Sequence, residues 1–151
     1  MSEGGCFISQ YDIDQARMKR LSDADYTALA DFRHALRCFL EFSENAAAAE
    51  GLTPQQHQAL LVIRGSSGSV ANVGKLAERL RVKHNTAVEL TQRLEAAGLV
   101  SRQSSEEDKR AVLLTLTDLG SSKLETLTHI HRRELGQLSP EILRLLHSLD
   151  S

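Results

Sequence analysis

The sequence predicts a mainly α fold carrying a small β-hairpin, of the α+β class, and three observations predict it. Hydrophobic residues make up 41% of the chain but aromatics only 4%, with no Trp, so the core must be built from aliphatic side chains with few β-branched runs. Apolar residues recur at helical spacing through most of the chain. One stretch departs from that period: Leu99–Gln103 and Ala111–Leu116 read as strands around the polar segment SSEEDKR. At 151 residues the chain is long enough to bury a core as one compact domain without disulfide staples.

Residues 1–22 hold no sustained period and are expected to form a mobile arm, ahead of a single domain over 23–151. Ser22-Asp23-Ala24-Asp25 offers an N-cap followed by acids, both favourable at the positive end of a helix. The helix that follows, about 25–50, is apolar on two faces: Leu29, Phe32, Leu36, Phe39 and Leu40 on one, Ala35, Cys38 and Phe42 on another. A helix apolar around most of its girth needs burial on several sides, which in a small protein points to a partner subunit. Gly51 ends it. Thr53-Pro54-Gln55-Gln56 opens a second helix with a capping-box pattern, and GSSGS (65–69) follows as a loop.

Two short helices come next, Val73–Leu80 and about His84–Ala97, joined by Arg81-Val82, the second ended by Gly98. Leu76, Ala77, Leu80, Val82, Ala87, Leu90 and Leu94 supply their inward face. After the hairpin, Thr117-Asp118 caps a helix carried by Leu124, Leu127 and Ile130, and Ser139-Pro140-Glu141 is expected to cap a separate last helix bearing Ile142, Leu145, Leu146 and Leu149. The elements over about 53–117 are thus those of a winged helix-turn-helix, flanked by helices at 25–50 and 118–150 suited to dimerisation.

A helix-turn-helix presents the start of its second helix to base edges in the major groove. The outward residues there are Lys83, His84, Asn85, Thr86, Val88, Glu89, Gln92 and Arg93. Asn and Gln suit adenine, Glu accepts from cytosine, Lys and Arg read guanine or phosphate, and Val88 suits a thymine methyl. The bland alternative is an ordinary amphipathic helix with a polar outer face. At the hairpin, Asp108-Lys109-Arg110 sets an acid two residues before an arginine, on one face of a strand, so that the carboxylate holds the guanidinium for a narrow minor groove. Its bland alternative is a solvated hairpin tip.

Charge distribution agrees with this placement. Residues 1–50 hold five Lys/Arg against nine Asp/Glu (−4), residues 51–110 nine against six (+3), and residues 111–151 four against five (−1). The basic excess coincides with the helix-turn-helix and wing although the whole chain is at −2.

The stretch LAERLRVKHNTAVELTQRLEAAGLVSR (76–102), followed by DKRAVLLTLTDLG (108–120), resembles the multiple-antibiotic-resistance regulator (MarR) family of bacterial winged-helix repressors. The family's D-x-R wing and L-T-x-x-G helix start correspond to Asp108, Arg110, Leu116, Thr117 and Gly120, and the similarity covers about residues 25–150. Two positions depart from the pattern: Arg81 where the turn often has Gly, and Lys83 where a Ser or Thr cap is usual. Arg81 implies that the turn avoids a left-handed φ or accepts it at a cost, and His84 or Asn85 is left to do the capping. The resemblance implies a homodimer whose first and last helices interlock, with two recognition helices about 34 Å apart on palindromic double-stranded DNA. It also implies repression relieved by a small, often aromatic, ligand or an oxidant at the junction of dimerisation and DNA-binding parts.

Other chemistry finds little in the residues. Cys38, near Arg37 and His34, raises a thiol-based redox response, against which Ala35 and Phe42 argue for a buried, inert thiol; Cys6 falls on the arm. Of the six histidines, His129 and His131 point about 200° apart on a helix. His34, His57, His129 and His147 meet only through tertiary structure, so no metal is expected. There is no GxxxxGK[ST] loop and no GxSxG elbow, and Glu106-Glu107-Asp108 is an acid run on a hairpin tip. An enzyme is not expected, nor a resident cofactor. The competing class is a winged-helix protein-interaction module, kept open by the low net basicity. No apolar run reaches the ~18 residues of a membrane span, and MSEGGCFISQ lacks a signal-peptide pattern, so a cytoplasmic location without membrane contact is the expectation.

Overall fold

A computed structural model describes residues 20–107 and 111–149. The order of elements is α1 (Asp23–Ala49), α2 (Pro54–Gly65), a single 3-10 turn (Ser67–Ser69), β1 (Ala71–Asn72), α3 (Val73–Leu80), α4 (His84–Ala96), β2 (Val100–Ser104), β3 (Val112–Leu116) and α5 (Asp118–Leu149). Of the expected arm at 1–22, residues 1–19 lie outside the described residues. Ser22 is the expected N-cap of α1, and forms a capping box with Asp25. Thr53 and Gln56 form the expected box on α2, with Pro54 in the first turn.

The three strands form one antiparallel sheet in the order β1-β3-β2, with Leu114 facing both Ala71 and Arg102. Strand β1 was not expected. At two residues it is too short to carry an alternation, and only its pairing with β3 defines it. The continuous core runs from Ala47 through Leu60, Ile63, Leu76, Leu90, Leu94, Leu99 and Leu114 to Leu127, joining α2–α4, the sheet and the inner ends of α1 and α5.

The expected break before a separate last helix is absent: α5 runs unbroken through Pro140. Proline inside a helix removes one hydrogen bond and normally costs about 3 kcal/mol. Here the inward-facing positions keep one helical phase across it. Leu127, His131, Leu138, Ile142 and Leu145 are all buried or half-buried along one stripe, and α5 shares with α1 the most extensive contact between any two elements. A new helix would throw that stripe out of phase. Lys123 pins the inner end, donating to the Glu50 carbonyl oxygen at 2.6 Å. No helix among the described residues is long and apolar enough to cross a membrane.

Candidate nucleic-acid interface

Helix α3 begins with Asn72, whose side chain accepts from the Lys75 N–H at 2.7 Å. It ends in a Schellman motif, with Arg81 N–H bonded to Glu78 O and Val82 N–H to Ala77 O, both close to 3 Å. The motif needs a left-handed residue, and Arg81 supplies it at φ 58°, ψ 39°. The turn therefore accepts the strained conformation; two other helices make the same ending with Gly51 and Gly98. Half-buried Val82, packed on the core, holds Arg81 there.

Lys83 is the N-cap of α4 and makes no side-chain capping bond. His84 and Asn85 already lie inside the helix, so neither supplies the cap, contrary to expectation. The first amides of α4 keep their N–H groups directed outward from its N-terminal end, the positive end of the helix dipole. Ala87, Leu90, Thr91 and Leu94 are buried. The one hydroxyl among them is satisfied, Thr91 Oγ1 donating to Ala87 O at 2.9 Å. On the opposite side Lys83, His84, Asn85, Thr86, Glu89, Gln92 and Arg93 are all exposed, while Val88 is half-buried. The seven polar residues picked from sequence thus share one outward surface, and Val88 sits at its edge.

Strands β2 and β3 form the wing, closed by Ser105 N–H donating to Ala111 O at 3.0 Å. Asp108, Lys109 and Arg110 lie outside the described residues. Sequence reasoning missed Arg102. It shares a face of β2 with buried Val100, an alternation that would have placed it against α4, and its guanidinium lies 3.5 Å from Glu95. Both partners are well exposed, so the pair contributes little to stability. Arg102, His84, Val88 and Asn72 border a groove of about 380 Å³ between α3, α4 and the wing.

The wing returns to α5 through a tight seam. Gly98 (φ 68°) ends α4 in a second Schellman motif, and the Thr117 hydroxyl donates to Gly98 O at 2.6 Å while accepting from Gly120 N–H at 3.1 Å. A Cβ on Gly120 would lie 2.1 Å from Leu99 O, so only glycine fits.

Cys38 is exposed, against the expectation of burial, with its sulfur 3.5 Å from His34 Nε2. Ala35 and Phe42, whose apolar character pointed to burial, are themselves only half-buried among the described residues, Phe42 by its contact with the His131 ring. His57 of α2 is buried and its ring lies 4.8 Å from that of His131. His131 bonds Leu127 O through Nδ1 and Ser43 Oγ through Nε2, both at 2.7 Å, beneath Phe39 and Phe42. Burial first, and the charge of His131 second, hold His57 below the usual imidazole pKa. No group of three or more His, Cys, Asp or Glu among the described residues could hold a metal ion. A cleft of about 610 Å³ opens between the end of α2, β3 and α5, with Arg64 and Arg132 at its rim and Leu116 and Leu124 in its wall.

Residues 50–111 match the model of the MarR family. Among curated proteins, the chain is similar to the organic hydroperoxide resistance transcriptional regulator of Bacillus subtilis, 34% identical over 99 residues, covering 64% of this chain and 66% of that one. It is also similar to the HTH-type transcriptional repressor MdtR of the same organism, 32% identical over 105 residues, covering 70% and 64%. The matched stretches span a little under two thirds of either relative. Among solved structures, AbsC of Streptomyces coelicolor, a MarR family transcriptional regulator, superposes with a TM-score of 0.69 at 23% identity, over 85% of this chain and 90% of that one.

Proposed function

The chain belongs to the MarR family, and from that membership we propose that it is a sequence-specific, DNA-binding transcriptional repressor. It acts as a homodimer on a palindromic operator and releases it in response to a small ligand. The observation that carries this reading is the outward surface of α4. Seven polar side chains capable of base or phosphate contacts stand exposed there, above an inner face of Ala87, Leu90 and Leu94 whose one hydroxyl, on Thr91, is satisfied. Lys83, His84, Asn85, Thr86, Glu89, Gln92 and Arg93 enter the major groove, and Arg110, oriented by Asp108 and flanked by Lys109, reaches the minor groove. A second copy of the chain covers the exposed apolar residues of α1 and α5. The ligand occupies the cleft beside α2 and α5, whose volume lies within the range of small-molecule sites.

The test is a genome-fragment selection followed by binding measured across salt concentrations. A palindromic motif is expected, with affinity falling steeply as salt rises. Asn85→Ala should relax base preference at one position per half-site, and Arg110→Ala should reduce the salt slope by about one phosphate equivalent. Failure to bind any duplex in dilute buffer overturns the reading in favour of a protein-interaction module.

One observation favours a second reading, a thiol-based redox response: the exposed Cys38 sulfur beside His34. In that reading a hydroperoxide oxidises the thiol to a sulfenic acid and is itself reduced to the alcohol. Release of DNA by hydroperoxide that persists in Cys38→Ser refutes it.

A further inference from the structure

Helix α4 packs chiefly against α3, β2 and α2, whereas α5 packs chiefly against α1. The two helices that matter for reading and for assembly therefore have little side-chain surface in common. What joins them directly is the main chain around Thr117. Its hydroxyl uses both hydrogen-bonding capacities, donating to the terminal carbonyl of the Gly98 turn and accepting from the first-turn amide of Gly120. Its own N–H donates to Leu99 O at 3.1 Å. Gly120 lets the two backbones touch at that point. Leu99, between them, is buried. The exit of α4 and the entry of α5 are thus joined by one backbone bond and by a single short, β-branched side chain, with little freedom to absorb a change of angle.

We propose that Thr117 is a positioning residue for DNA reading: by bridging Gly98 O and Gly120 N–H it fixes the angle between α4 and α5, and with it the spacing of the two recognition helices in the dimer. This rests on the DNA-binding homodimer proposed above. The leverage is large for so small a bond. Helix α4, at 13 residues, is about 20 Å long. A tilt of about 10° moves its far end by roughly the 3.4 Å that separates successive base pairs. Loss of the bridge leaves a carbonyl and an amide without their partner, so the angle is no longer the single best-bonded one. Threonine suits the role because branching at Cβ restricts its side-chain torsion and holds the hydroxyl in place.

The test uses the full chain and a duplex library in which the selected half-sites are held constant and the spacer between them varies by single base pairs. Wild type should prefer one spacing. Thr117→Val, matched in shape but without the hydroxyl, should keep its half-site base preference. Its affinity for the best spacing should fall about tenfold, and its discrimination against spacers one base pair longer or shorter should drop below about threefold. Thr117→Ser should restore the wild-type spacing profile. A folded, dimeric Thr117→Val with an unchanged profile overturns the proposal. So does a variant that unfolds or dissociates, since the hydroxyl would then hold the fold and not the spacing. Wild type that binds no duplex at any spacing overturns the DNA-reading proposal instead, so the two failures are told apart.

Discussion

From Leu52 to Leu116 the described large apolar side chains turn inward, with Leu61 the one left exposed; along α1 and α5 ten stand exposed, led by Tyr26 (62%), Leu40 (54%) and Leu143 (53%). The first region closes on itself. Leu60, Ile63, Leu76, Leu94 and Leu114 lose all contact with solvent, and no buried side-chain nitrogen or oxygen among the described residues lacks a hydrogen-bond partner. The two long helices share an extensive contact, yet outside their inner ends they bury only Ala28 and Leu145. The contrast teaches that the segment from Leu52 to Leu116 is self-sufficient, while the long helices leave apolar surface of the kind the proposed homodimer would cover. Apolar surface left in water forgoes about 25 cal/mol per Å², which a second copy would recover.

Breaking the open region should have the largest effect. Leu143→Asp with Leu146→Asp alters side chains already exposed in the single chain, so the fold is expected to survive. Self-association should weaken at least 100-fold (about 2.7 kcal/mol), because charges would have to enter an apolar interface. Sedimentation velocity checks this, and an intact dimer would dissolve the contrast between the regions. Next comes the seam between them. Gly120→Ala forces a Cβ against Leu99 O and should cost about 3 kcal/mol, read as a fall of roughly 10 °C in Tm. A Tm within a degree of wild type would show that the seam yields.

A smaller effect is expected from His57, where α2 meets the long helices. Its folded-state pKa lies below the ordinary 6.5, so the unfolded chain takes up a proton that the folded chain resists. The stability this buried neutral ring allows is full above about pH 6.5. It declines as the pH falls through that value and stops declining below the folded-state pKa. His57→Phe should flatten the loss of Tm between pH 7 and pH 5; parallel curves would remove His57 as the cause. The smallest effect belongs inside the closed region. Arg81→Gly relieves a left-handed φ at the cost of a more flexible unfolded chain, for a net gain of about 0.5 kcal/mol. Thermal melts showing a clear loss of stability would mean that the arginine side chain holds the turn.

Where the sequence was legible, the information was local. The N-cap at Ser22, the capping box at Thr53, the glycine stops at Gly51 and Gly98, and the alternation of Val112, Leu114 and Leu116 each depend on a few neighbouring residues. The outward residues of α4 were legible for the same reason, since one helical period separates them from Ala87, Leu90 and Leu94. Three readings failed where the deciding partner is remote. Pro140 looked like a helix start, but the surface of α1 holds α5 in one phase. Strand β1 exists only because β3 offers it an edge. Cys38 looked buried by its helical neighbours, yet no described residue from elsewhere in the chain buries it and it stands exposed.

The sequence by itself determined which segments are helix or hairpin and which side of each is apolar, because side-chain period and terminal capping act over a few residues. Only the tertiary structure decided how those pieces are joined: Thr117 on Gly98, Gly120 against Leu99, His57 against His131, Arg102 beside Glu95. Contacts between residues far apart in the chain leave no period to read, since any of many partners would satisfy the same hydroxyl or bury the same ring until the packing selects one.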